Sequence, residues 1–130
     1  MKSSRYGACS ERNGPSRRVA ELDGFAPVME AVRNTVSSLK GRALAGPHAY
    51  AQIPALAERS KARVASFMEE LDARLQQTVY VAGPEFSAAD ITAMVAIDFA
   101  KGGIGMAIPP QQDAMRHWYD MIALRPASSA

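Results

Sequence analysis

The chain has 130 residues, of which 48% are hydrophobic and 22% charged, so length and composition favour one folded domain and exclude a wholly disordered chain. Its net charge of +2 is unevenly placed: residues 1–18 carry +4 and residues 19–130 carry −2, so a basic face for nucleic acid is not expected on the folded part. The one cysteine, Cys9, permits no internal disulfide, and neither a signal peptide nor an apolar run of membrane-spanning length is present; we therefore expect a cytoplasmic protein with no membrane contact.

The first segment is polar, lacks periodicity and ends on the turn signal Asn13-Gly14. We therefore expect residues 1–14 to form a disordered head. Residues 15–130 would form the folded domain, with Pro15 at a first helical position.

Apolar residues then recur at spacings of three and four, which predicts a long amphipathic helix that ends at Gly41. Pro27 lies inside this segment and has no amide hydrogen, so a kink is expected near residues 23–27. The positions expected to face the core are Leu22, Phe25, Met29, Val32, Val36 and Leu39.

A loop is predicted for residues 41–53, because they contain Gly46-Pro47. A second helix is expected to begin at Pro54 and to end near Gln76, followed by a short extended link from Thr78 to Glu85. The expected core positions of this helix are Leu56, Val64, Phe67, Met68, Leu71 and Leu75.

The third helix is expected to begin at a capping box. Ser87 and Asp90 have the required spacing, in which the hydroxyl accepts the amide three residues on and the carboxylate accepts the amide of Ser87. Phe86 and Ile91 flank the box as a hydrophobic staple. The following segment is apolar on nearly every face, which predicts a core helix that is buried on several sides and ends near Lys101.

A last helix is predicted from about Gln111 to Leu124. Its apolar face would carry Met115, Trp118, Tyr119 and Ile122. No strand pattern of useful length occurs, so the predicted fold class is all-α, a helical bundle of about four main helices.

One motif carries a family resemblance. The residues from Tyr80 to Ile91 are Tyr-Val-Ala-Gly-Pro-Glu-Phe-Ser-Ala-Ala-Asp-Ile. They resemble the signature of the glutathione S-transferase C-terminal domain, Tyr/Phe-Leu/Val-Ala-Gly-x-x-Phe/Tyr-Ser/Thr-x-Ala-Asp-Ile. The helix order and the ending Arg125-Pro126 agree, and Gly41 to Arg63 is similar to a subgroup of bacterial transferases. The resemblance covers roughly residues 20–128.

The resemblance implies an activity that needs a second domain. Family members have an N-terminal thioredoxin-like domain that binds glutathione and supplies the catalytic Tyr, Ser or Cys. The chain therefore looks like a C-terminal helical domain without that partner, inactive alone and with no cofactor of its own. In the complete enzyme, glutathione would be the cosubstrate conjugated to an electrophilic small molecule. The helical domain would shape the acceptor pocket and dimer interface, with a homodimer and hydrophobic small molecules as further expected partners.

Catalytic and metal-binding residues are not assigned. Tyr6, Cys9 and Ser10 are of the types that the family uses for catalysis, but their segment offers no strand or helix to hold a thiolate-stabilising donor. His48 and His117 have no carboxylate or cysteine at ligand spacing, so no metal site is expected.

The resemblance implies an acceptor pocket where the first helix of this domain meets the thioredoxin-like domain. Arg33, Asn34 and Tyr50 are the substrate-pocket candidates, with a solvated helix face and loop as the alternative. Ser87 and Asp90 are assigned to capping and not to catalysis. Asp98 is the odd charge on the core helix, and both structural pairing and a substrate role stay open for it.

The alternative function is a non-catalytic module of the same helical type that mediates protein interaction or assembly. An upstream reading frame for a thioredoxin-like domain would favour the enzyme.

Overall fold

Helices make up the regular secondary structure of the residues that the structure describes. This computed structural model describes residues 14–44 and 46–125, so the predicted head lies outside it except for Gly14, where the first helix begins. The elements are α1 (Gly14–Val19), a π-helical segment (Ala20–Phe25), α2 (Ala26–Thr35), a 3-10 turn (Ser37–Leu39), α3 (Pro54–Leu75), α4 (Ala88–Ile104) and α5 (Asp113–Ala123). The all-α prediction is confirmed.

The first helix is continuous through α1, the π-helical segment and α2, and its π turn lies where Pro27 predicted an interruption. The Ala26 amide donates to the carbonyl of Glu21, five residues back. The next such bond would join residue 27 to the Leu22 carbonyl, but proline has no amide hydrogen. The Arg63 side chain of α3 donates to that carbonyl instead, at 3.1 Å. A side chain of the neighbouring helix therefore satisfies the carbonyl that the proline leaves open.

The π-helical turn also changes which side chains face the core. It holds more residues per turn than an α-helix, so positions spaced by three and four no longer share one face. Leu22 is 56% exposed and Met29 only half-buried, whereas Ala20, Gly24 and Val28 are buried. The predicted burial of Leu22 is therefore wrong.

The first helix ends at Thr35, six residues before the predicted Gly41. Val36 is extended, with φ −69° and ψ 124°, and the 3-10 turn follows. Gly41 has φ +79°, a value that favours glycine, and it lies just after that turn. Val36 and Leu39 remain half-buried at the edge of the core.

The second helix, α3, begins at Pro54 as predicted and ends at Leu75, one residue before the expected end. Pro54 is at the first helical position, where a missing amide hydrogen costs no helical bond. Leu56, expected in the core, is half-buried. The buried residues are Ala57, Ser60, Val64, Phe67, Met68, Leu71, Asp72 and Leu75.

A polar contact joins α2 to α3 within this packing. The hydroxyl of Ser60, which is fully buried, donates to the carboxylate of Glu30 on α2. Arg59 lies 3.7 Å from the same carboxylate. The carboxylate thereby satisfies the buried hydroxyl and is itself partly neutralised at the surface.

The end of α4 is later than predicted, because Gly102 and Gly103 remain helical. Gly105, with φ +70°, ends the helix, and the Met106 amide donates to the Ala100 carbonyl at 3.0 Å, six residues back. A glycine in the left-handed conformation commonly ends a helix, and the two amides that follow Ile104 satisfy the terminal carbonyl of Ala100.

The last helix, α5, buries Met115, Trp118 and Ile122. Gln112 precedes it and makes no side-chain cap. The Asp72 carboxylate of α3 accepts a hydrogen bond from the Met115 amide at 2.9 Å, so the first turn of α5 is capped from the neighbouring helix.

Candidate functional site

The three substrate-pocket candidates lie in different surroundings. Asn34 is buried: its Nδ2 donates to the Glu30 carbonyl at 2.7 Å, and its Oδ1 accepts from the Ile53 amide at 2.9 Å. The side-chain oxygen thus holds the start of α3 against α2, and the side-chain nitrogen bonds within α2. Arg33 is half-exposed on the same helix, and Tyr50 is exposed in the loop between α2 and α3.

Gln52 fixes this loop to α2 and was not predicted. Its Nε2 donates to the carbonyl of Arg33 at 3.1 Å and to that of Val36 at 2.7 Å. Carbonyls at the end of a helix have no helical donor, so Gln52 supplies a C-terminal cap from a distance. Gln52 lies 19 positions after Arg33 and 16 after Val36, so no local sequence signal indicates these contacts.

An open depression of about 600 Å³ lies between the end of α2 and this loop. It is lined by Asn34, Thr35, Lys40, Gly41, Ala51, Gln52 and Pro54. Of the three candidates, Asn34 alone is in its wall. Because the Asn34 side chain is occupied by backbone partners, a ligand would meet Lys40 and the surrounding small residues instead.

Asp90 is fully buried and accepts hydrogen bonds from three parts of the chain. Its Oδ2 accepts from the Ser87 amide at 2.9 Å, and its Oδ1 accepts from the Val81 amide at 3.0 Å and the Trp118 indole at 2.8 Å. The Ser87 hydroxyl accepts from the amide of Asp90, three residues on, and also from the Ala89 amide at 3.3 Å, so both bonds of the predicted capping box are present. A buried carboxylate needs such donors to offset its lost hydration. Asp90 therefore holds the link, α4 and α5 together.

The link before α4 folds back on itself. The Tyr80 amide donates to the Gly83 carbonyl at 2.9 Å, and the Gly83 amide donates to the Tyr80 carbonyl at 3.2 Å. Phe86 meets the Tyr80 ring edge-on at 6.0 Å and lies under the Arg125 guanidinium at 3.8 Å. Ile91, its expected staple partner, is 45% exposed.

Asp98 pairs with Tyr119 of α5. The Tyr119 hydroxyl donates to the Asp98 carboxylate. This hydrogen bond, followed by burial and by the negative charge of Asp98, raises the pKa of Tyr119 from 10.0 to about 12. The pairing favours the structural role for Asp98 over the substrate role.

One side of α4 is left uncovered by residues 14–44 and 46–125. Ile91, Val95 and Phe99, spaced by four residues, are 45%, 45% and 37% exposed, and we call these three residues the α4 face. Phe99 meets Phe25 edge-on at 5.8 Å, so the face borders the first helix. The expectation that α4 is buried on several sides therefore holds for the opposite side only.

The described residues provide no group of three or more His, Cys, Asp or Glu side chains that could hold a metal ion. His48 lies edge-on to Tyr50 at 6.5 Å, and His117 is exposed on α5. None of the helices in residues 14–44 and 46–125 has the length and hydropathy to cross a membrane. Tyr6, Cys9 and Ser10 lie outside the described residues.

No protein-family model and no curated protein matches the chain. Solved structures do match it, and three of them are described here. A class Gtt2 glutathione S-transferase of Vibrio parahaemolyticus is 28% identical, with a TM-score of 0.70 over 88% of this chain and 48% of that one. Gtt2 from Saccharomyces cerevisiae is 27% identical, with a TM-score of 0.77 over 88% of this chain and 52% of that one.

A third solved structure shows the fold alone, because its identity is 24%. It is a glutathione S-transferase domain-containing protein from Marinobacter aquaeolei, with a TM-score of 0.79 over 98% of this chain and 61% of that one. The chain thus spans about half of the two Gtt2 proteins and somewhat more of the third. The resemblance seen in the motif at Tyr80 to Ile91 extends to the whole helical fold.

Proposed function

We propose that this chain, whose fold is that of the helical C-terminal domain of glutathione S-transferases, acts with a thioredoxin-like domain to conjugate glutathione to an electrophilic small molecule. The observation that most supports this proposal is the likeness to the Vibrio Gtt2 protein, in which sequence and fold agree over most of this chain. That likeness covers about half of the transferase. The part of the activity that needs the unmatched half, the binding of glutathione, is therefore assigned to a partner.

The two parts would divide the reaction between them. The glutathione sulfur attacks the electrophile as a thiolate, so a donor must lower the pKa of the thiol. In an aryl halide the sulfur forms a bond to the ring carbon, the halide leaves with its electron pair, and the thiol proton goes to solvent. The thioredoxin-like domain would hold glutathione and this donor, while the helical chain would line the acceptor side.

The acceptor side is proposed to lie at the end of α2 and the loop that follows it. Tyr50 is exposed there and Arg33 is half-exposed, and each is the sequence neighbour of a residue that lines the depression, Asn34 or Ala51. Asn34 is proposed to form part of the wall of the acceptor site without contacting the acceptor through its polar atoms, because its side chain holds the loop. Hydrophobic small molecules and a homodimer partner are proposed on the same family likeness.

The test is a conjugation assay with glutathione and chlorodinitrobenzene. The 130-residue chain alone is expected to give the uncatalysed rate. Adding a glutathione-binding protein of the thioredoxin-like type is expected to give saturable activity above that of the added protein by itself. Saturable conjugation by the chain alone would contradict this division of labour. A complex that forms and remains inactive would contradict the enzyme proposal.

An Arg33→Ala or Tyr50→Ala variant tests the acceptor side in the active complex. The KM for the aryl halide is expected to rise while the KM for glutathione stays unchanged, because the two ligands would be held by different domains. Arg116→Ala, at an exposed position of α5, is the control. Equal changes in both KM values would place these two residues outside an acceptor site.

The second candidate function is a non-catalytic interaction module, which the uncovered apolar α4 face favours. The assay above separates the two functions, since an interaction module binds its partner and stays inactive.

A further inference from the structure

We propose that the depression at the end of α2 selects aromatic electrophiles that carry a carboxylate or a similar anionic group, and that Lys40 is the residue that determines this specificity. This inference rests on the proposed function and adds the charge of the acceptor. It follows from the distribution of charge around the depression and from the hydrogen bonds of its wall.

The charge of the segment that forms the depression is the first argument. Residues 31–57 contain Arg33, Lys40 and Arg42 but neither aspartate nor glutamate, so with neutral histidine they carry +3. Residues 19–130 as a whole carry −2, so the remainder of that region carries −2 minus +3, which is −5. Positive charge is therefore concentrated on the stretch that lines the depression, where concave apolar walls strengthen its field.

The carboxylates at the two borders of this segment do not neutralise it. Glu30 lies 3.7 Å from Arg59 of α3, and Glu58 lies 3.7 Å from Lys61 of the same helix. In the part of the chain that the structure describes, Lys40 makes no ion pair, and its side chain is exposed. Its ammonium is therefore available to an anion that enters the depression.

The donors of the other polar side chains in the wall are already used by the backbone. The Thr35 hydroxyl donates to the Ala31 carbonyl, and the Gln52 nitrogen donates to two carbonyls at the end of α2. The Asn34 nitrogen also bonds within α2. The remaining lining residues are Lys40 and the small or apolar Gly41, Ala51 and Pro54. One cation beside apolar walls suits an aromatic ring with a single anionic group.

The backbone that carries Lys40 is held in place by hydrogen bonds on both sides. The Lys40 amide donates to the Ser37 carbonyl at 3.2 Å in the 3-10 turn. The Tyr50 amide donates to the Gly41 carbonyl at 2.9 Å, and the Ala43 amide donates to the Tyr50 carbonyl at 3.2 Å. Because the loop is closed by these bonds, a ligand would pay little conformational entropy to order it. The volume of about 600 Å³ is sufficient for one substituted ring.

Two ligands that differ only in the carboxylate test the inference on the 130-residue chain by itself. 3,5-Dinitrobenzoate and 1,3-dinitrobenzene have the same substituted ring, and neither carries a halide that glutathione could displace. Equilibrium dialysis at low ionic strength is expected to show about fivefold tighter binding of the carboxylate, because an exposed cation attracts it only moderately. The difference should be lost at about 0.5 M salt, since salt screens exposed charges.

Charge substitutions locate the anion. Lys40→Gln is expected to abolish the preference for the carboxylate and to leave the binding of 1,3-dinitrobenzene unchanged. Lys40→Glu is expected to make the carboxylate the weaker ligand of the two. Lys101→Gln, at an exposed position of α4, is the matched control and should keep the fivefold preference. Circular dichroism melts identify any variant that fails to fold.

The complex with a glutathione-binding protein of the thioredoxin-like type gives the second readout, with 4-chloro-3,5-dinitrobenzoate as the anionic acceptor. The glutathione sulfur forms a bond to the ring carbon that bears the chlorine, chloride leaves with its electron pair, and the thiol proton goes to solvent. The ratio of kcat/KM for this acceptor to kcat/KM for chlorodinitrobenzene is expected to fall about fivefold in Lys40→Gln and to stay unchanged in Lys101→Gln. Comparing this ratio between variants cancels the different intrinsic reactivities of the two acceptors.

The outcomes separate this inference from the proposed function. Equal binding of the two dialysis ligands, or a carboxylate preference that survives Lys40→Gln, overturns the inference whatever the conjugation assay gives. Conjugation in the complex with a kcat/KM ratio that Lys40→Gln does not change keeps the function and overturns the inference. A carboxylate preference that depends on Lys40, in a complex that stays inactive, supports the anion site and contradicts the proposed function.

Discussion

At the scale of single residues, Asp90 contributes more than a helix cap. The local motif predicted its contact with Ser87, but Trp118 follows 28 residues later and its indole also donates to the same carboxylate. The Val81 amide is the third donor. Removing an acceptor strands all its buried donors, and each stranded group costs about 1–3 kcal/mol. Asp90 should therefore matter more for stability than its capping partner.

Two substitutions at the box test this difference. Ser87→Ala is expected to destabilise the fold by about 1 kcal/mol, because the N-terminal cap of α4 loses its hydroxyl. Asp90→Ala is expected to destabilise it by about 3 kcal/mol or more, since the amides of Ser87 and Val81 and the Trp118 indole lose their acceptor. Urea unfolding followed by circular dichroism measures both.

Asp120→Ala, at an exposed position of α5, is the control for removing a carboxylate. Equal effects of Ser87→Ala and Asp90→Ala would show that Asp90 acts only as a cap. The capping role itself would be refuted by two variants that unfold like the parent chain.

At the scale of helices, the starts were easier to predict than the ends. Pro54 and Ser87 are local signals, and the helices after them begin where these residues indicate. The end of the first helix at Thr35 depends instead on Gln52, which binds its terminal carbonyls from the other side of a loop. Periodicity alone extended that helix through Val36, because apolar spacing carries no information about a cap made by a distant residue.

The first helix also shows why its buried face could not be derived from spacing. Pro27 signalled an interruption but not its form. The π-helical turn needs the Arg63 side chain to satisfy the Leu22 carbonyl, and that partner belongs to another helix. The role of the substrate-pocket candidates could not be derived from spacing either. Asn34 is structural because its side chain accepts from the Ile53 amide, and this contact is visible only in the folded chain.

The neighbouring glycines of α4 provide a matched prediction at this scale. A Cβ added at Gly103 would lie 2.7 Å from a methyl group of Val32, whereas one added at Gly102 meets nothing within 4 Å. Val32 is buried and β-branched, so it has little freedom to move aside. Gly103→Ala is expected to destabilise the fold by about 1–3 kcal/mol. Gly102→Ala is expected to be neutral or to stabilise by up to about 1 kcal/mol through helix propensity.

Thermal and urea unfolding measure the stability of the two variants. Because both substitutions lie in the same helix, the gain in helix propensity is the same for each and cancels in the comparison. Gly103→Ala with the stability of Gly102→Ala would mean that α2 and α4 are further apart than this packing requires.

At the scale of the whole molecule, α5 is held by two buried carboxylates that lie on different elements. Asp72 of α3 accepts from the Met115 amide, and Asp90 of α4 accepts from the Trp118 indole. The fold class followed from the pattern of helices and the motif, which are local in the sequence. These two attachments join residues 43 and 28 positions apart, so only the folded chain reveals them.

The last prediction concerns the cooperativity that these attachments create. Asp72→Ala is expected to lower the free energy of unfolding by about 1–3 kcal/mol, because the buried Met115 amide loses its acceptor. Asp72→Asn keeps an acceptor oxygen and is expected to lose less. Trp118 is the one tryptophan of the chain and is buried on α5, so its fluorescence reports the docking of that helix. Because α5 shares the core with α3 and α4, fluorescence and circular dichroism should give the same urea midpoint in the parent chain and in both variants. A fluorescence transition that precedes the loss of helix would show instead that α5 detaches on its own.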